Sequence, residues 1–183
     1  MKTGTRVWLA IATSLVLIGC ILFVCVMTML DWDFMKLSTV KYETNSFEIS
    51  EEFDSLSVNT DTADIEFILS DDGKCRVECR EEENENHVVA VRNGTLTVEL
   101  IDERPINSLI GLSFYKTEVK IYLPKAEYAS LLIEESTGDI KIPNGISFNN
   151  VEISLSTGDV DFRASVLDTV KIKASTGRMI PVF

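Results

Sequence analysis

Leu131-Leu-Ile-Glu-Glu-Ser-Thr-Gly-Asp-Ile-Lys-Ile142, Val151-Glu-Ile-Ser-Leu-Ser-Thr-Gly-Asp-Val-Asp-Phe162 and Val170-Lys-Ile-Lys-Ala-Ser-Thr-Gly-Arg-Met179 are three versions of one segment. Ser-Thr-Gly begins at 136, 156 and 175, so the period is 20 and then 19 residues. A weaker copy lies earlier, Leu56-Ser-Val-Asn-Thr-Asp-Thr-Ala-Asp-Ile-Glu-Phe67. A fixed period of this length marks a solenoid, in which each unit buries its apolar face only by stacking on its neighbours. Ile133, Ile153 and Ile172 fall in one column, and Ile140, Val160 and Met179 in another. The expected fold is all-β: a single-stranded, β-helix-like solenoid of short strands with repeats of about 20 residues.

Between the two apolar columns lie the corners. These are Ser136, Thr137, Gly138 and Asp139; Ser156, Thr157, Gly158 and Asp159; and Ser175, Thr176 and Gly177, with Arg178 in the aspartate position. Glycine permits a tight bend, and the polar side chains can satisfy backbone groups left free there. Ala63 stands in the glycine position of the first copy, so that corner either differs or does not need positive φ. Asp139 and Asp159 come about 4.8 Å apart on adjacent coils, where two carboxylates repel. Outward splay, Arg178 or a cation would relieve this. Calcium wants six to eight oxygens, so turn chemistry is the expectation, with no metal and no cofactor.

Working outward, alternation at period two runs through Ser55–Val58, Asp64–Phe67, Cys75–Glu78 and Thr117–Tyr122, placing one face in a core and one in water. His87–Arg92 and Thr95–Leu100 flank Asn93-Gly94, the dipeptide of a type I′ hairpin turn. Asn93-Gly94-Thr95 is also a glycosylation pattern, but the turn explains it fully. Cys75 and Cys79 are four residues apart, about 13 Å on a straight strand, too far to bridge each other. Asp102 to Lys116 break the rhythm with Ile106, Leu109, Ile110, Leu112 and Phe114. They either cap the core or form an interface for a partner.

The N-terminal end is different material. Val7 to Leu30 are 24 residues without a charged side chain, about 36 Å as a helix and enough to span a bilayer core of about 30 Å. Lys2 and Arg6 precede the run and Asp31 and Asp33 follow it, so the N-terminus should stay inside and the rest be exported. A cleaved signal has a shorter apolar core and a small-x-small exit site. Leu17-Ile-Gly-Cys20 has the pattern of a lipidation box, yet the chain stays apolar for ten residues past Cys20. The organisation read here is a cytoplasmic N-terminus at 1–6, a span at 7–30, a connector at 31–46 and an extracytoplasmic β domain at 47–183.

The totals are 17 basic and 29 acidic residues, and the first 30 positions hold two basic and no acidic ones. The other 153 therefore carry a balance of −14, which repels nucleic-acid phosphates and anionic lipid. No nucleic-acid partner is expected. The sole histidine, His87, has no nucleophile–base context in the sequence and reads as a solvated strand start, with Glu81–Glu85 as a solvated loop. Paired carboxylates leave a polysaccharide-active β-helix enzyme as the one catalytic alternative. No enzyme is the expectation.

The Ser-Thr-Gly-Asp corners, the Val119-Lys-Ile-Tyr-Leu-Pro124 strand and the N-terminal anchor resemble the putative-adhesin family of Gram-positive bacteria. The resemblance spans roughly Phe47 to Met179. It implies a β-solenoid-like, membrane-anchored domain of uncharacterised function, often encoded beside envelope-stress or regulatory systems, and carries no catalytic residues with it. Two roles follow: a surface module binding a protein or cell-wall polymer, or an accessory to membrane signalling. The third corner ends in Arg178 and the sequence stops at Phe183. Either Met179–Phe183 cap an open edge, another chain or copy covers it, or the sequence stops short.

Overall fold

The computed structural model describes residues 3–37, 41–83, 85–102 and 116–181, which divide into a helical N-terminal unit and a β-rich unit. In the first, α1 (Thr3–Met29) is followed by a 3-10 turn at Phe34–Leu37. Gly4–Met29 is long and apolar enough to cross a membrane. Its large side chains are exposed on every face, Trp8 at 73% and Leu15 at 65%. An α-helix pairs its backbone groups internally, which lets such a surface sit in lipid.

In the β unit, five strand pairs each make one coil. They are β2 (Ser55–Asn59) with β3 (Asp64–Leu69), β6 (Thr95–Asp102) with β7 (Glu118–Leu123), and β8 (Glu127–Thr137) with β9 (Ile140–Ile142). The last two are β10 (Ser147–Thr157) with β11 (Val160–Phe162), and β12 (Ser165–Thr176) with β13 (Met179–Pro181). The first strand of each pair joins one sheet and the second strand the other. Three further strands, β1 (Tyr42–Ile49), β4 (Cys75–Glu82) and β5 (Glu85–Arg92), flank the stack at one end. The sheet orders are β1-β4-β7-β3-β9-β11-β13 and β12-β10-β8-β2-β6-β5.

The register follows the repeat. Leu56, Leu131, Val151 and Val170 pair in one column, and Val58, Ile133, Ile153 and Ile172 in the next. On the other sheet Ile65, Ile140, Val160 and Met179 align. Each inward side chain thus meets its equivalent one strand away. Full burial of such a side chain contributes about 1.5–3 kcal/mol. Phe67, Phe148 and Ile121 fill the space between the sheets.

Both sheets are mixed, so the molecule is solenoid-like rather than a purely parallel solenoid. β4 runs antiparallel to both β1 and β7, and β5 antiparallel to β6. Asn93 (φ 51°) and Gly94 (φ 77°) make the I′ turn of the β5–β6 hairpin. β6 and β7 form a coil although residues 103–115, outside the described set, separate them from a simple corner; in space this coil precedes β2–β3. β1 begins at Tyr42, inside the stretch expected as a connector. Its alternation is hidden because it pairs with the charged end of β4, Tyr42 opposite Glu82 and Asn45 opposite Cys79.

Candidate functional site

The corners come together along one edge of the stack. Gly138 N–H donates to the Thr157 carbonyl (3.0 Å) and Gly158 N–H to the Thr176 carbonyl (2.9 Å). A Cβ on Gly138 would lie 1.8 Å from the Ala63 carbonyl oxygen, and one on Gly158 or Gly177 equally close to the glycine carbonyl of the coil before. Their φ angles of 156°, 140° and 142° add backbone strain for any other residue. Ala63 donates its N–H to the Thr137 carbonyl (3.1 Å), as the corner glycines do to the next coil. The coil on its other side, however, brings Thr117, acceptor of the Asp64 N–H (2.9 Å), in place of another such corner, and the φ of Ala63 is not positive.

The aspartates form a ladder. Asp64 Oδ1 accepts the Asp139 N–H (3.0 Å), Asp139 Oδ1 the Asp159 N–H (2.9 Å), and Asp159 Oδ1 the Arg178 N–H (2.8 Å). Cations close both ends: Lys116 Nζ lies 3.0 Å from Asp64 Oδ2, and the Arg178 guanidinium 2.9 Å from Asp159 Oδ2. Each carboxylate therefore has a donor from the next coil, and this offsets the repulsion expected between Asp139 and Asp159. The Arg178 backbone N–H, then its guanidinium, hold the Asp159 carboxyl below the usual range. The Ser136, Thr137, Ser156, Thr157, Ser175 and Thr176 side chains are exposed. Chemically, this edge is a fastening between coils.

The opposite ends of the long strands meet in an open groove of about 570 Å³. Its floor is Ile49, Phe53 and Tyr128, and its rim carries Glu51, Glu52 and Lys74. Phe53 and Tyr128 stack with ring centroids 6.0 Å apart, and Tyr128 meets Phe148 at 5.7 Å. Tyr128 Oη donates to the Pro124 carbonyl (3.0 Å), and burial pushes its hydroxyl up to about 12. The ring is thus locked as a platform. The sequence signals this groove poorly, since its lining comes from three separate connections.

Two expectations are corrected. His87 is buried and not a solvated strand start: its Nδ1 lies 2.5 Å from Glu81 Oε2, both side chains only 1% exposed. The Glu81–Glu85 run is not a solvated loop either, because Glu81 and Glu85 lie buried in β4 and β5. Glu81 also accepts the His87 N–H (2.7 Å) and Asn45 Nδ2 (2.7 Å). The continued alternation Cys75-Val77-Cys79-Glu81 placed Glu81 on the inner face, and that signal outweighs its charge. Cys75 and Cys79 are free, buried strand residues, with burial pushing both thiols up to about 12. Ile106, Leu109, Ile110, Leu112 and Phe114 lie outside the described residues.

The family described as Toastrack DUF4097 matches residues 53–180. No curated protein matches the chain. Similar solved structures include a putative cell adhesion protein from Clostridium sporogenes (13% identity, TM-score 0.43, covering 77% of this chain and 98% of that one). Another is a putative adhesin from Bacteroides fragilis (14% identity, TM-score 0.36, covering 76% and 97%). A third is a putative lipid binding protein from Parabacteroides distasonis (16% identity, TM-score 0.34), of which the match covers 63% against 67% of this chain.

Proposed function

The chain belongs to the Toastrack DUF4097 family, and on that premise we propose that it is a membrane-anchored binding module, held outside the cytoplasm, with no chemistry of its own. The observation that carries the binding role is the groove at Phe53 and Tyr128: open, floored by a locked aromatic stack, with Glu51 and Glu52 on its rim. Aromatic faces with nearby polar groups suit an extended polymer that carries neutral or cationic groups. The domain's −14 balance disfavours anionic polymers. The anchor is α1, oriented by Lys2 and Arg6 ahead of the span and Asp31 and Asp33 behind it.

Two measurements test the proposal. Protease added to intact cells should remove the β domain; protection of residues beyond position 30 would overturn the topology. The full chain, extracted in mild detergent, should be retained on purified cell-wall material. Phe53→Leu, which removes the aromatic face but keeps an apolar side chain against the core, should lose that retention while keeping its melting temperature within a few degrees. Recovery of a membrane sensor instead, with no retention on wall material, would replace binding to wall polymer with the signalling-accessory reading.

A further inference from the structure

The groove at Ile49, Phe53 and Tyr128 treats its charge unlike the outer faces of the two sheets. On those faces carboxylates are neutralised within the chain: Glu66 by Lys141, Glu118 by Lys120, Asp161 by Arg163 and Glu152 by Lys171. At the groove Glu48, Glu51 and Glu52 are all exposed. Among the described residues none of these three carboxylates has an ion-pair or hydrogen-bond partner. Lys74 is the single basic residue of the described lining, so three negative charges face one positive charge. The volume of about 570 Å³ lies within the roughly 300–1,000 Å³ of clefts that hold ligands. The half-buried Phe53 ring lines this space with Tyr128 behind it, the two planes 17° apart.

Resting on the reading of this groove as the binding site, we propose that its ligand is a glycan chain whose sugars carry free, unacetylated amines. An ammonium group suits both parts of the groove, being drawn to the rim carboxylates and to the face of an aromatic ring. Exposed ion pairs are weak singly. A chain that repeats its amine engages several of the carboxylates at once, which a lone amine cannot do.

The floor favours a sugar chain over a basic peptide. An extended peptide is held chiefly by main-chain hydrogen bonds to a free strand edge. β4 and β8 bring Cys75 and Tyr128 to the groove, and β7 ends just before Pro124; all three are bonded on both sides. Among the described strands that reach the groove, β1 alone keeps an open edge, on the side turned away from β4. A sugar ring needs no such edge, because its flat C–H face packs directly on an aromatic ring. N-acetylation would cancel the charge that the rim answers, and phosphate-bearing polymers are repelled by it.

Calorimetric titration of the full chain in neutral detergent tests this, in mildly acidic buffer that keeps sugar amines charged. A glucosamine hexamer should bind, and an N-acetylglucosamine hexamer should bind about tenfold more weakly or worse. Glu51→Gln with Glu52→Gln changes two exposed side chains. The pair should weaken binding of the glucosamine hexamer about tenfold and leave circular dichroism and melting unchanged. Equal binding of the two hexamers, or indifference to the double substitution, would sink the proposal. Hexalysine bound as tightly as the glucosamine hexamer would also sink it, in favour of a basic peptide. Retention on wall material, measured on the same preparations, separates the two levels of the argument. Retention that Phe53→Leu abolishes, with neither hexamer bound, keeps the groove as a binding site and removes the amino sugar as its ligand. Absence of both retention and hexamer binding removes both readings.

Discussion

Glu135 is the residue whose environment most departs from its chemistry. It occupies the inward column that continues as Leu155 and Ala174, and it is 4% exposed. One oxygen accepts the Ala63 N–H (3.1 Å), while among the described residues Oε2 and the nearby column member Thr60 Oγ1 have no partner. Burial lifts its carboxyl to about 7; the Ala63 and Thr137 amides pull it down, and Asp61 and Asp64 push it further up. Because the folded value lies above the unfolded one of about 4.3, protonation stabilises the fold. This contribution is fully present below about pH 4.3 and is lost as pH rises through about 7, amounting to at most about 4 kcal/mol. Melting temperature should therefore fall between pH 5 and pH 8, and Glu135→Gln should flatten that slope while keeping the acceptor for Ala63. An unchanged slope in Glu135→Gln would place the titrating group elsewhere.

At the scale of elements, the corner sets the stacking distance. Gly158 cannot take a side chain, since its Cβ would meet the Gly138 carbonyl at 1.8 Å, and that obstacle is backbone, which cannot swing aside as a side chain would. Gly94, at the hairpin tip, has open space around it and only its φ of 77° to satisfy. Gly158→Ala should cost more than about 3 kcal/mol, and Gly94→Ala about 1 kcal/mol, compared by urea unfolding of the two variants. A repeat makes such positions readable: Ser-Thr-Gly recurs, so the columns, the corners and the Asn93-Gly94 hairpin all follow from spacing. What spacing hides is pairing between segments far apart in sequence. The β6–β7 coil is concealed because its corner is replaced by a long connection. The Glu81–His87 pair is concealed because neither residue reveals the other, and an acidic run resembles a loop until Asn45 arrives from β1. The groove shares that difficulty, as no single segment carries Phe53, Lys74 and Tyr128 together.

For the whole molecule, stability should be graded along the stack, because each coil gains burial only from its neighbours. Val151 and Val170 make a controlled comparison: same residue type, same column, different neighbours. Val151→Ala removes buried methyl groups between two coils and should cost roughly 2–3 kcal/mol; Val170→Ala, open on one side, should cost under about 1 kcal/mol. Amide exchange should mirror this, slowest in β2, β8 and β10 and fastest in β12 and β13, which are bonded on one side. Exchange measured by mass spectrometry on the full chain in mild detergent reads this out. Equal protection across all five strands would mean the coils unfold as one unit rather than as neighbours in a row.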